Sequence, residues 1–147
     1  MMDIHLSTDI KRPPEAVFNL LADIAHYHKW LPPSRTYVET TDISDMPIKQ
    51  GTTYVDKNTN GAMVGDVREY QPYTRIAFHQ VGKNPNVEVT ASYLLSPTPE
   101  GTHLERTTTV AMSGLWQLFQ PIAVRQIRAE NQRTLAMLKA YLEGQST

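Results

Sequence analysis

No cysteine occurs among the 147 residues. Disulfides, thiol catalysis and cysteine-ligated zinc are thereby excluded. Charge of one sign is missing too: 14 Lys and Arg stand against 15 Asp and Glu, for a formal net charge of −1. That balance exerts no bulk attraction on nucleic acid or an anionic membrane, so no nucleic-acid partner is expected. No apolar run approaches the ~18 residues that span a bilayer, so membrane insertion is not expected. The opening Met1-Met-Asp-Ile-His5 carries neither the basic stretch nor the apolar core of a secretory signal, which makes a cytoplasmic protein the expectation.

The usual catalytic signatures are absent as well. There is no GxSxG elbow, no GxxxxGK phosphate loop, no GxGxxG and no HExxH. His26 and His28 are two residues apart, so they do not share a helix face, and His5, His79 and His103 are scattered. No metal and no cofactor is expected. The charged residues of the last helical stretch, Arg125, Arg128, Glu130, Arg133 and Lys139, read as a solvated face.

What is present is ordered. With 40% hydrophobic and 20% charged residues, the composition suits one globular domain over residues 1–147. Ile4, Leu6, Thr8 and Ile10 alternate with polar residues, as in a half-buried strand. Pro13 and Pro14 then open a helix with an apolar stripe of Val17, Phe18, Leu20, Leu21 and Ile24. Asp23 divides it from a second short helix and is placed to cap it. That second helix ends near His28-Lys-Trp-Leu-Pro-Pro33, where Trp30 reads as packed against the early helices.

Strand-like runs follow at hairpin spacing: Tyr37 to Asp42, Thr52 to Lys57, Met63 to Tyr70, Arg75 to Val81, Val87 to Leu95 and Thr102 to Met112. Asn60-Gly61, Gln71-Pro-Tyr73, Gly82 to Asn86 and Ser96 to Gly101 mark the turns between the later runs. No helical run long enough for a parallel crossover lies between them, so the sheet should be antiparallel. Gly65 within a strand implies a bulge or a close backbone approach. Gly114 to Glu143 reads as one long amphipathic helix that Pro121 kinks or splits, with Ile127, Leu135, Leu138 and Leu142 as its stripe. The expectation is an α+β fold: a curved antiparallel sheet of about seven strands, two short helices after the first strand, and a long C-terminal helix.

The pieces Pro13-Pro-Glu-Ala-Val-Phe18, Asp23 with Trp30, Gly51, Val67-Arg-Glu-Tyr-Gln-Pro72 with Ile76 and Phe78, Tyr93-Leu-Leu-Ser-Pro97 before Gly101-Thr102, and Leu138-Lys-Ala-Tyr-Leu-Glu143 recur in this order over nearly the whole chain. The sequence resembles the START-related (SRPBCC) superfamily, which includes polyketide cyclases, the birch pollen allergens and chaperone-activator domains. The resemblance implies a helix-grip fold with a cavity between sheet and helix. It transfers no fixed catalytic motif.

Strand alternation nominates the cavity residues. If Leu104, Val110 and Met112 face inward, Arg106 and Thr108 do too. An inward Arg needs a partner or solvent, and a ligand carboxylate or carbonyl is one; a bulge that turns Arg106 outward is the plain alternative. Tyr54, Tyr93 and Asn131 are further polar candidates, and Met63, Val67, Phe78 and Ile127 are candidate walls. Met112, Leu115, Trp116 and Phe119 are placed to cover one end. In the competing reading all of these residues fill the core. Three functions stand open: a carrier or sensor of a small hydrophobic or amphipathic molecule, a cyclase or dehydratase, and a protein-interaction module.

Overall fold

The opening alternation becomes β1, Met2–Ile10, with Ile4 and Ile10 buried. The computed structural model describes residues 2–35, 37–83 and 86–144. Pro13 is extended at the N-cap, and Pro14 starts α1, Pro14–Ala22, where a helix has no use for that N–H. Val17, Phe18 and Leu21 form its buried face. Asp23 does separate α1 from a 3-10 helix, Ile24–Lys29, but its side chain makes no capping hydrogen bond. Its Oδ1 instead accepts a hydrogen bond from His26 Nδ1 at 2.7 Å. Trp30 is buried, 4.8 Å from the Tyr27 ring.

Six further strands follow: β2 Glu39–Thr41, β3 Thr53–Asn58, β4 Gly61–Gln71, β5 Arg75–Gly82, β6 Val87–Thr98 and β7 Gly101–Met112. They form one seven-stranded sheet in the order β1-β7-β6-β5-β4-β3-β2, with every neighbour pair antiparallel. The strand expected over Tyr37 to Asp42 is only three residues long, and Asp42 ends it with φ of 53°. Gly61 takes φ of 148° where the β3–β4 turn closes. The expected hairpin from Gly82 to Asn86 falls partly on residues 84 and 85, outside the described residues.

Gly65 marks a close approach rather than a bulge. Its cross-strand partner is Tyr54, and a Cβ on Gly65 would stand 2.4 Å from Tyr54 Cζ. The break in register lies just beyond, between Val67 and Glu69, and bends β4.

The last helical stretch divides just before Pro121, one of the two outcomes expected of that residue. Gly114–Phe119 is a separate 3-10 helix, and the α-helix proper, α2, runs Gln120–Gly144. Pro121 falls in the first turn of α2, where it breaks no hydrogen bond. At 1.5 Å per residue α2 is ~37 Å long. Leu115 and Phe119 do not cover an end of the sheet, being 83% and 51% exposed, although Met112 is buried and Trp116 is half-buried.

Val124, Asn131, Thr134, Leu135, Leu138 and Leu142 are the buried face of α2. Leu135, Leu138 and Leu142 pack into the main core with Phe18, Leu21 and Leu104. Val124 packs with Ile4 and Val110 in a second, smaller cluster. Side chains pin the helix at several points. Arg12 Nη1 donates to Leu142 O at 3.0 Å, and Lys139 Nζ donates to Asp9 O, both at the C-terminal end. Arg133 Nη1 donates to Pro32 O at 2.9 Å near the middle. Between the two apolar clusters, residues 127–134 of α2 roof a cavity over the sheet.

Candidate functional site

The cavity has a volume of about 310 Å³. Its floor is a row of aromatic rings supplied by β3, β5 and β6. Tyr54 and Phe78 meet edge-on at 6.1 Å, and Phe78 and Tyr93 at 6.5 Å. Met63, Val89 and Ala91 complete the sheet side, and Ile127, Asn131 and Thr134 face them from α2. Exposed Arg35, Asn60 and Lys83 line its rim.

Seven of the nine nominated residues line this space: Tyr54, Met63, Phe78, Tyr93, Arg106, Ile127 and Asn131. Val67 does not. It is buried among the main-core residues, which leaves it no surface on the cavity. Thr108 does not line it either, but sits behind the polar wall as a shared acceptor. Its Oγ1 takes hydrogen bonds from Asn131 Nδ2 at 2.9 Å and Arg106 Nε at 3.2 Å.

Arg106 points inward. Its pairing with Leu6 on one side and Tyr93 on the other runs without a break, so no bulge turns it out. The guanidinium donates from Nη1 to the Tyr93 hydroxyl and lies 5.0 Å from the centre of the Tyr93 ring. Burial raises the Tyr93 phenol above its ordinary pKa while Arg106 pulls it back, so at neutral pH Tyr93 is a neutral hydroxyl. Among the described residues no carboxylate pairs with Arg106. Glu130, on the same cavity wall, is engaged by Arg133 and by Ser34 Oγ at 2.9 Å. This end of the cavity is therefore a cation held by neutral acceptors.

The opposite end is acidic, and sequence reasoning missed it. Asp56 lies two residues after Tyr54 on β3, and Gln80 two after Phe78 on β5. Alternation therefore turns both inward, the rule that nominated Arg106. Asp56 Oδ1 accepts from Thr40 Oγ1 at 2.6 Å, and Oδ2 accepts from Gln80 Nε2. Because the Thr40 proton goes to Asp56, Tyr37 is the donor in its 2.8 Å contact with Thr40 Oγ1. Gln80 Nε2 also donates to the Tyr54 hydroxyl at 3.1 Å. Burial pushes the Asp56 carboxyl up to about 6, and the hydrogen bonds from Thr40 and Gln80 offset only part of that rise. Burial likewise raises Tyr54, and pushes Tyr37 up to about 12.

Other polar groups lie elsewhere. His79 faces the convex side of the sheet, hydrogen-bonded to Asp66 at 3.0 Å and Glu88 at 2.7 Å. Among the described residues no group of three His, Asp or Glu is placed to hold a metal. Among the described residues no helix is long and apolar enough to cross a membrane.

Comparison with known proteins agrees with this architecture. The sequence model of a family described as polyketide cyclase / dehydrase and lipid transport matches residues 1–143. No curated protein sequence matches significantly. Among solved structures, the fold is similar to protein MLL2253 of Mesorhizobium loti, with a TM-score of 0.78, 16% identity and coverage of 99% of this chain and 100% of that one. It is similar to the di-domain aromatase/cyclase StfQ of the steffimycin biosynthetic pathway, with a TM-score of 0.76 and 14% identity over 97% of this chain and 50% of that one. It is also similar to Aha1 of Colwellia psychrerythraea, solved as a dimer, with a TM-score of 0.70 and 20% identity over 99% and 100%. At these identities the structural likeness speaks for the fold alone. The family match spans nearly the whole sequence, and the seven-stranded sheet gripping a long helix is what such a match requires: this chain belongs to the polyketide cyclase / dehydrase and lipid transport family of the START-related superfamily.

Proposed function

We propose that the chain binds a small amphipathic molecule between the curved sheet and α2, as a carrier or sensor, with the polar end of that molecule on Arg106. The observation that carries this reading is the guanidinium of Arg106, which lines the aromatic-floored cavity and, among the described residues, is paired with no carboxylate. Burying a cation against neutral groups is costly, and a ligand carboxylate or carbonyl offsets that cost. A cavity of about 310 Å³ is at the small end for ligand sites, which favours two or three rings over a long acyl chain.

Biphenyl-4-carboxylate is a suitable probe, followed by calorimetry. Arg106→Met keeps an unbranched apolar stem in place of the first part of the side chain and removes the charge. It should weaken binding about tenfold, or ~1.4 kcal/mol, while unsubstituted biphenyl should bind both proteins alike. Equal affinity of wild type and variant for the acid would remove Arg106 from the site.

A second reading, an enzyme of the cyclase or dehydratase type, draws support from Asp56. A carboxyl of pKa about 6 beside a cavity is poised for proton transfer near neutral pH. With a poly-ketone substrate in hand, unchanged turnover after Asp56→Asn would dismiss Asp56 as the acid or base.

A further inference from the structure

We infer that Asp56 and Tyr54 form a second ligand subsite, across the cavity from Arg106, that takes a hydroxyl group of the bound molecule. The inference rests on the cavity-binding reading above and adds to it the chemistry of the ligand's far end. Arg106 is on β7 and Asp56 on β3, four strand positions apart. That is ~19 Å on a flat sheet at ~4.8 Å per strand, and curvature and inward-reaching side chains shorten it. The ring row of Tyr54, Phe78 and Tyr93 lies between the two ends. A flat molecule laid along these rings presents one end to each.

The donors and acceptors at the Asp56 end are incompletely matched. An ionised carboxylate has about four acceptor positions, and Asp56 uses two, for Thr40 and Gln80. The carboxylate accepts only, so the Gln80 atom facing it is the amide nitrogen. That same nitrogen then donates to Tyr54, which leaves the Tyr54 oxygen as acceptor and its own proton without an acceptor among the described residues. Tyr54 is only 2% exposed, and a buried hydroxyl proton seeks a partner. The site therefore offers one open acceptor and one open donor. A ligand hydroxyl matches both, donating to Asp56 and accepting from Tyr54. A ligand carboxylate would repel Asp56, and an ammonium would leave the Tyr54 proton unmatched. The ligand class that fits both ends is a hydroxylated aromatic acid or ketone.

The test compares 4′-hydroxybiphenyl-4-carboxylate with biphenyl-4-carboxylate by calorimetry at pH 7.5. Wild type should bind the hydroxylated acid about tenfold more tightly. Asp56→Ala should abolish that preference, bringing the two acids to equal affinity. Tyr54→Phe, which keeps the ring, should reduce the preference and serves if Asp56→Ala fails to fold. Equal affinity of wild type for the two acids, or a preference intact in both variants, would overturn the subsite and leave cavity binding standing. Failure of both acids to bind wild type at millimolar concentration would overturn the cavity-binding reading, and the subsite with it.

Discussion

Gly65→Ala should lower the melting temperature by roughly 4–16 °C and reshape the cavity. The added methyl carbon would stand 2.4 Å from Tyr54 Cζ, 2.6 Å from Cε2 and 2.7 Å from the hydroxyl oxygen. The backbone of Gly65 is held by the β3–β4 ladder, so the Tyr54 ring must yield. That ring is buried and packed edge-on against Phe78. Overpacking of this kind costs about 1–3 kcal/mol, and losing the Gln80 bond to Tyr54 adds about 1 kcal/mol. In a chain of this length each kcal/mol is about 2–4 °C. Because Tyr54 lines the cavity, the displaced ring moves into ligand space, and binding of the biphenyl acids should weaken together with stability. Thermal unfolding followed by circular dichroism checks the first effect and calorimetry the second. A melting temperature within about 1 °C of wild type would show that the ring is not locked against Gly65.

Asp56→Asn should have the opposite effect, raising stability by about 2 kcal/mol at pH 8, or roughly 4–8 °C. The folded state holds the Asp56 proton with a pKa of about 6, above the ~3.9 of an unfolded aspartate. A raised folded-state pKa contributes fully below the unfolded value and is lost as pH rises through the folded value. The penalty therefore builds between about pH 4 and pH 6 and is complete above. Two pKa units cap it at ~3 kcal/mol, and solvent at this half-buried site reduces that. Asparagine keeps the shape and carries no charge, and the Gln80 amide can turn to accept from it. Among the described residues no cation forms an ion pair with Asp56, although Arg35, Lys83 and Arg106 share the cavity lining with it. The variant should thus exceed wild type at pH 8 and approach it at pH 4.5. A difference of the same size at both pH values, or a less stable variant at pH 8, would contradict the charge argument. Retaining an ionisable group that weakens the fold is the usual mark of a residue kept for function.

Much of the architecture was readable in advance because its rules are local. Proline at positions 13 and 14, glycine after Asn60, and strict alternation from Val87 to Leu95 each specify an element without long-range information. Arg106 was readable for the same reason: its neighbours on β7 fix its face. Asp56 and Gln80 obey the same alternation. What hid them is chemistry, since a carboxylate and an amide on a short strand read as solvent-facing unless the opposite wall is known. Tyr37 and Thr40 reach the site through a loop and the three-residue β2, whose path depends on packing rather than periodicity. Val67 failed as a cavity residue because alternation gives the face of a side chain but not whether neighbours from other elements cover it. The split before α2 was signalled by Pro121, but the exposure of Leu115 and Phe119 depends on how that segment meets the sheet, which no helical stripe encodes.

The anchoring of α2 has a consequence for recognition. Arg12 and Lys139 tie its far end to the first strand and its neighbour, and Arg133 ties its middle to the turn at Pro32. The ceiling height above the aromatic rings is thus set during folding by bonds that no guest makes. Shape matching then precedes association, so little ordering entropy is lost on docking, and rigid planar molecules gain most from such a frame.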